Sequence, residues 1–231
     1  MTPPASIDSV SRAEERAAER SAAVQRSRTR IANQVRLMLD AALRLIREKG
    51  DAFTTQELVK EAGVALQTFY RYFASKDELL LAVIADAMTD ACARWEEAAR
   101  ELPDPVARLR FYVTTIIDVL DNEGGDGGTA KFVVSTHWRL HRVFPEELAE
   151  AEKPFVDLLL SEINAGVEAG QLAPANPEWA AWFIAELVRS VYHYYAYAPR
   201  QAEVKENLWQ FCLAALGGKT KSKSKYTSKS K

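Results

Sequence analysis

Apolar residues recur at intervals of three and four along most of the chain, the period that sets one face of a helix against a core. Leu39, Ala42, Leu43 and Ile46 form the first such stripe, which ends near Gly50. Thr54 and Glu57 have the spacing of a capping box, which predicts a second helix of about two turns running through Leu58 and Val59 to a break at Ala62-Gly63. A third short helix covers roughly 66–73, and Ser75 with Glu78 opens a long fourth one that reaches about Arg100. Further helices are expected at about 105–121, 129–142, 146–169, 177–197 and 201–216, separated by Pro103, Pro105, Pro145, Gly170, Pro174, Pro177 and Pro199. The fold class is therefore all-α, with three short helices preceding a long one.

Composition adds limits. The chain has 231 residues, a little under half of them apolar, enough for one sizeable domain or two unequal ones. Residues 1–30 are small, polar and Arg-rich and read as a disordered basic arm, with Arg26, Arg28 and Arg30 just before the first apolar stripe. Residues 31–76 hold the three short helices, 77–216 a larger helical domain, and 217–231 a Lys-rich tail expected to be disordered. The six lysines of that tail hide an asymmetry: without them the formal charge falls from −2 to −8, so local charge matters more than the total. No apolar run approaches the roughly 18 residues of a membrane span. The N-terminus, where Arg12, Arg16 and Arg20 alternate with Glu14, Glu15 and Glu19, lacks a secretory core, and a cytoplasmic protein is expected. Cys92 and Cys212 have neither metal-site spacing nor disulfide density and read as small buried hydrophobes. The stretch 122–128, rich in Gly, is a connecting loop.

The segment TTQELVKEAGVALQTFYRYFASKDEL, residues 54–79, places two short helices around a turn at Gly63, the arrangement of a helix-turn-helix. Leu58, Ala62, Val64, Phe69 and Phe73 are spaced to pack these helices on the first, leaving Gln67, Thr68, Tyr70, Arg71 and Tyr72 for solvent or a partner. A Gln side chain matches adenine in the major groove, Thr offers a hydroxyl or a methyl, and Leu66 suits a thymine methyl. Tyr70, Tyr72 and Lys76 suit phosphate oxygens, which fix register without carrying sequence information.

This run resembles the signature of the tetracycline-repressor (TetR) family of bacterial transcriptional regulators, in its Ala-Gly-Val turn, Thr-Phe-Tyr core, aromatic-Phe ending and Ser-Lys-Asp-Glu-Leu start of the fourth helix, over residues 33–85. The resemblance implies an N-terminal DNA-binding domain followed by a ligand-binding and dimerisation domain. It implies that Thr55, Gln56, Leu66, Gln67, Thr68, Tyr70, Tyr72 and Lys76 occupy positions used against DNA, and that Arg26, Arg28 and Arg30 enter a minor groove or attract phosphates. One departure is Ala65, where many relatives carry a capping Ser or Thr; Ala lacks the side-chain acceptor, a loss of about 1 kcal/mol.

Past residue 100 there is no nucleophile elbow, phosphate-cradling Gly loop or paired acid–base signature, so no enzyme is expected. By the resemblance, Phe111, Phe132, Trp138, Trp182 and Tyr194 wall an effector pocket in which Thr136, His137, His141 and Glu186 orient a hydrophobic small molecule. His137 and His141 share a helical face, but with no third ligand in sequence no metal site is assigned, and no cofactor is expected. Residues 177–216 are apolar over more circumference than one core face needs. The resemblance places Trp179, Phe183, Val191, Tyr195, Leu208 and Phe211 at a homodimer seam. The expected partners are thus a double-stranded operator, a hydrophobic effector and a second copy of the chain, with no membrane. The expected function is a ligand-released repressor on a pseudo-palindromic operator. The alternatives are a corepressor-dependent or activating regulator, and a helical ligand carrier or interaction module with a vestigial helix-turn-helix.

Overall fold

The computed structural model describes residues 7–50, 52–122, 128–199 and 201–218. These form α1 (Ile7–Lys49), α2 (Thr55–Ala62), α3 (Leu66–Tyr72), α4 (Lys76–Ala99), α5 (Pro105–Asn122), α6 (Gly128–Val143), α7 (Pro145–Glu168), α8 (Pro177–Tyr195) and α9 (Val204–Ala215). No strand occurs among the described residues. The protein is all-α, and its helix boundaries fall close to those expected from the capping signals and the prolines. Residues 1–6 and the Lys-rich tail from 219 onward, together with most of the Gly-rich loop, lie outside the described residues.

The first helix departs from expectation. α1 begins at Ile7, so residues 7–30, read as a disordered arm, are helical. Neither Pro nor Gly interrupts the sequence from Ile7 to Lys49, and Ala, Arg and Glu dominate its first half. Once packing of Met38, Leu39, Ala41, Ala42, Leu45 and Ile46 has formed the C-terminal turns, extension adds one hydrogen bond per residue without a new nucleation step. From Val24 to Asn33 every residue is exposed, so polarity there means the absence of a core face, not of a helix.

The chain divides into two compact units, Met1–Leu79 and Leu80–Lys231. In the first, α1 packs on α2 and α2 on α3, around Met38, Ala42, Phe53, Leu58, Phe69 and Leu79, all almost fully buried. The turn between α2 and α3 rests on Gly63, whose φ of 67° ends α2 in the left-handed region. Val64 N–H donates to Val59 O at 3.0 Å behind it, completing the cap. No atom lies within 4 Å of a Cβ added at Gly63, so the requirement for glycine there is conformational and not steric.

In the second unit α5 is central, packing on α7, α8 and α9. Leu109, Tyr112, Val113 and Ile117 meet the buried stripes Phe155, Leu159, Ile163 of α7 and Ala181, Ile184, Val188, Tyr192 of α8. The Arg108 guanidinium holds Glu162 with Nε 2.9 Å from Oε1 and Nη2 2.9 Å from Oε2, a bidentate tie between α5 and α7. Cys92 and Cys212 are buried, and burial pushes their thiols up to about 11 and about 12, which keeps both protonated and unreactive.

Replacing Gly63 by Ala is expected to destabilise the N-terminal unit by about 1 kcal/mol and Gly63→Asn by less, because only Asn among ordinary residues tolerates the left-handed region well. Urea unfolding of the two variants checks this; an unchanged Gly63→Ala midpoint would show that the turn relaxes without cost.

Candidate nucleic-acid interface and effector region

Recognition of a nucleic acid by a seven-residue helix requires that the helix be held from behind, since so short a segment has no stability of its own. α3 is held by Phe69, which is wholly buried, with Phe73 at 5.8 Å between ring centroids. α2, which precedes it, starts with a closed capping box: Thr54 Oγ1 accepts from Glu57 N–H at 3.2 Å, and Thr54 N–H donates to Glu57 Oε2 at 2.8 Å. Lys49 Nζ donates to the other oxygen of Glu57 at 2.6 Å. This Lys49 contact, with the Thr54 hydrogen bonds, brings the Glu57 carboxyl down to about 2, so the cap stays ionised over the whole physiological range.

With its back fixed, α3 presents Leu66, Gln67, Tyr70 and Arg71, all exposed. Their positions i, i+1, i+4 and i+5 form one helical face. Gln56 at the start of α2 is also exposed and Thr55 half-buried. Three residues expected on the DNA side are engaged inside the unit. Thr68 is buried and its Oγ1 accepts from Arg71 Nη2 at 3.1 Å. The half-buried Tyr72 donates its hydroxyl to Gln34 Oε1 on α1 at 2.8 Å, with the Arg71 guanidinium 5.3 Å from its ring. Lys76 Nζ donates to Phe53 O at 2.7 Å and lies 4.1 Å from the Phe53 ring centre. Of these partners, Gln34 left no signal in the sequence, because it is 38 residues from Tyr72. α3 begins without a side-chain cap at Ala65, as the sequence implied. α4 is capped by Ser75 Oγ, which accepts from Glu78 N–H at 3.1 Å, but the Glu78 carboxylate reaches back to Ala74 N–H and not to that of Ser75.

The nine residues expected to line an effector pocket are not brought into one cavity. Phe111 lines a cleft of 1040 Å³ bounded by α5, α9 and the α7–α8 connection, with Leu102, Val106, Leu172, Trp209 and Leu213 as apolar floor and Arg110, Gln171, Lys205 and Glu206 as polar rim. Arg110 and Glu206 are paired across it at 2.7 Å. Trp182 and Tyr194 are exposed at 43% and 65%, on the outer face of α8 with Trp179 and Phe183. Their neighbours Ala181, Ile184, Val188 and Tyr192 take the core positions, so the helical period turns these two aromatics outward. Trp138 is exposed and Phe132 buried.

The polar members do converge. His137, 7% exposed, has Nε2 2.9 Å from Glu152 Oε1. Arg189 Nη1 donates to Glu152 Oε2 at 2.6 Å, and its other amino group pairs closely with Glu186. His193 lies edge-on to His137 with centroids 5.0 Å apart, and His141 stacks on His137 at 6.2 Å. All three histidines of the chain thus meet between α6, α7 and α8. Burial disfavours the Glu152 carboxylate, but the His137 hydrogen bond and the Arg189 charge outweigh it and hold the carboxyl below its usual range. Burial, then repulsion from His137 and Arg189, lowers His193 to about 4 against a weaker pull from Glu152. Thr136 Oγ1 and His137 Nδ1 are buried without a hydrogen-bond partner among the described residues. Glu152, Arg189 and His193 were not foreseen, since they come from helices remote in sequence. Among the described residues no group of three or more His, Cys, Asp or Glu is arranged to hold a metal, and no helix is long and apolar enough to cross a membrane.

These features define a helix-turn-helix protein with a separate helical unit. Residues 38–83 match the model for bacterial regulatory proteins of the tetR family. The chain is 24% identical over 136 residues to the fatty acid metabolism regulator protein of Bacillus subtilis (strain 168), an alignment spanning 58% of this chain and 69% of that one. It is 37% identical over 81 residues to the transcriptional regulator BetI of Rhizobium meliloti (strain 1021), spanning 32% of this chain and 40% of that one. In fold it is similar to the regulator FadR from Bacillus subtilis solved with stearoyl-CoA, at a TM-score of 0.63 and 18% identity over 78% of this chain and 97% of the other. It is similar also to RolR solved with resorcinol, at a TM-score of 0.64 and 18% identity over 82% and 90%. The segment 38–83 is thus similar to the tetR family of bacterial regulatory proteins, and the likeness supports a DNA-binding regulator.

The depressed His193 makes stability depend on pH with a definite sign. Between about 6.5 and about 4 the unfolded chain takes up a proton that folded His193 refuses, so the stability is complete above pH 6.5 and lost as pH falls to 4. The loss is on the order of 1–2 kcal/mol after allowance for partial exposure. Urea midpoints at pH 7 and pH 5 should differ less in His193→Gln than in the parent; equal differences would place the acid sensitivity elsewhere.

Proposed function

We propose that this protein is a homodimeric repressor that binds a pseudo-palindromic operator through α3 and is released by a hydrophobic small molecule bound in its helical unit. The observation that carries the reading is the exposed Leu66, Gln67, Tyr70 and Arg71 face on a short helix fixed from behind by Phe69. Gln67 is suited to bidentate bonding with adenine, and Tyr70 and Arg71 to phosphates. Dimer formation is supported by the large aromatic residues left open to solvent: Trp179 stacks on Phe183 and Trp182 meets both edge-on, with centroids 5.1–5.6 Å apart, and Phe211 on α9 is 65% exposed. An apolar surface of this kind on a soluble chain marks an interface, and the second copy is its occupant. Two-fold symmetry would place the recognition helices in successive major grooves about 34–36 Å apart. The effector is proposed as hydrophobic because two solved proteins of similar fold hold stearoyl-CoA and resorcinol. In this chain the unpartnered Thr136 and His137 atoms would supply polar anchors.

The deciding experiment is a mobility shift of the purified protein on DNA flanking its own gene, with excess nonspecific competitor. A competitor-resistant shift is expected. Tyr70→Ala should weaken binding on all sequences, whereas Gln67→Ala should also relax preference at one base position by about 1–3 kcal/mol. Equal losses on every sequence for both variants would refute the division of roles, and a protein that never shifts DNA specifically would favour a carrier.

Phe183→Glu combined with Phe211→Glu should convert the dimer to a monomer by light scattering and weaken operator binding by at least tenfold. A variant that keeps the parent's mass would remove α8 and α9 from the interface.

A further inference from the structure

The cleft that Phe111 lines takes no residue from α6 or α8, so it is separate from the cluster around His137. Its walls are α5 and α9: the half-buried Phe111 stands on one, Trp209 and Leu213 on the other. Leu172 adds to the floor from the α7–α8 connection. A Cβ added at Gly166 would lie 2.6 Å from Leu172 Cδ1, so Leu172 could not keep this seat beside a larger residue. The connection is also pinned to the end of α9, where Ala173 N–H donates to Leu216 O at 2.8 Å. Packed helices and a hydrogen-bonded connection thus frame the 1040 Å³. The charged residues of the cleft are all engaged. Arg110 Nη2 donates to Glu206 Oε2 at 2.7 Å, and the other oxygen of Glu206 accepts from Gln210 Nε2 at 2.8 Å. Lys205 pairs closely with Asp118. Asp104 Oδ1 accepts from Ala107 N–H at 2.8 Å at the start of α5, where the helix dipole favours a negative charge.

We infer that this cleft is a small-molecule site for a neutral, largely apolar compound, distinct from the region of Thr136 and His137. The charge pattern selects the class. An ion entering here has to draw Arg110 from Glu206 or Lys205 from Asp118, which exchanges one exposed pair for another with no gain. A neutral molecule leaves both pairs intact and moves its own apolar surface from water onto the floor. The rings of Phe111 and Trp209, on facing walls, offer aromatic surface against which a ring of the ligand packs. The volume matches that of small-molecule sites, roughly 300–1,000 Å³. The exposed Gln171 on the rim supplies an amide that orients one polar group without a charge. The inference stands apart from the effector reading above, because neither Thr136 nor His137 lines the cleft.

The test is a fluorescence titration of the full chain with two probes that share one ring skeleton, the neutral N-phenyl-1-naphthylamine and its anionic 8-sulfonate. The neutral probe is expected to bind about tenfold or more tightly than the sulfonate, since only the sulfonate competes with Glu206 and Asp118. Ala107 and Thr114 line the cleft from α5 and are half-buried, so Ala107→Trp and Thr114→Phe fill it from one wall. Each should lower affinity for the neutral probe by about tenfold or more. An unchanged urea midpoint shows that a filling variant is folded, and either one alone suffices for the test. Thr136→Val, remote from the cleft, should stay within about twofold of the parent. Three results would overturn the inference by placing the probe elsewhere or changing its class: parental affinity in the folded filling variants, a loss confined to Thr136→Val, and equal or tighter binding of the sulfonate. A parent that binds neither probe overturns it as well. A chain without residues 219–231 that binds the neutral probe about tenfold more tightly than the full chain would make that segment the occupant. Operator binding enters none of these readouts, so the proposed function stands or falls separately.

Discussion

Burial of Phe69 is the constraint on which the exposed face of α3, the candidate nucleic-acid interface, depends. A helix of seven residues has no independent stability, and its orientation is whatever its buried side chain and its connections impose. With Phe69 fully enclosed, the residues one position before and after the buried pair must face outward, and Gln67 and Tyr70 do so. The left-handed turn at Gly63 fixes the angle from which α3 leaves α2, and the capping box of Thr54 and Glu57, held by Lys49, fixes where α2 begins. Each device satisfies backbone groups that would otherwise be orphaned at the ends of short helices. The outer face of α3 takes no part in that support and stays open to solvent.

The helical unit follows a different logic. Its helices are long enough to be stabilised by burial, and α5 provides the common surface for three of them. What distinguishes it is the polar cluster enclosed between α6, α7 and α8. A buried carboxylate is costly unless charge and hydrogen bonds compensate; Glu152 has both, from His137 and Arg189. Keeping His193 neutral beside this pair avoids a further buried positive charge and makes the cluster sensitive to acid. The same compactness leaves Thr136 and His137 each with a polar atom that has no hydrogen-bond partner among the described residues.

The two ends of the recognition unit also differ in how they use arginine. Arg44 pairs with Glu61 at 2.7 Å between α1 and α2, where exposure limits its worth to a fraction of a kcal/mol. Arg26 and Arg30 lie on a stretch of α1 that is exposed from Val24 to Asn33.

Local rules were legible in the sequence because they act within a few residues. Helix period, the Thr54–Glu57 and Ser75–Glu78 caps, the Gly63 turn and the proline breaks placed every helix from α2 onward, and the burial of Phe69 and the openness of Gln67 and Tyr70 followed from the same period. The start of α1 was misread because a segment without a core face resembles disorder, although a helix nucleated elsewhere can extend through it. Tertiary structure alone decided what depends on groups far apart in the chain. It drew Thr68, Tyr72 and Lys76 into contacts inside the unit, turned Trp182 and Tyr194 outward, and assembled Glu152, Arg189 and His193 around His137. The first set of features is governed by hydrogen bonds and dihedral preferences between near neighbours, the second by which helix faces meet, and no local pattern encodes that meeting.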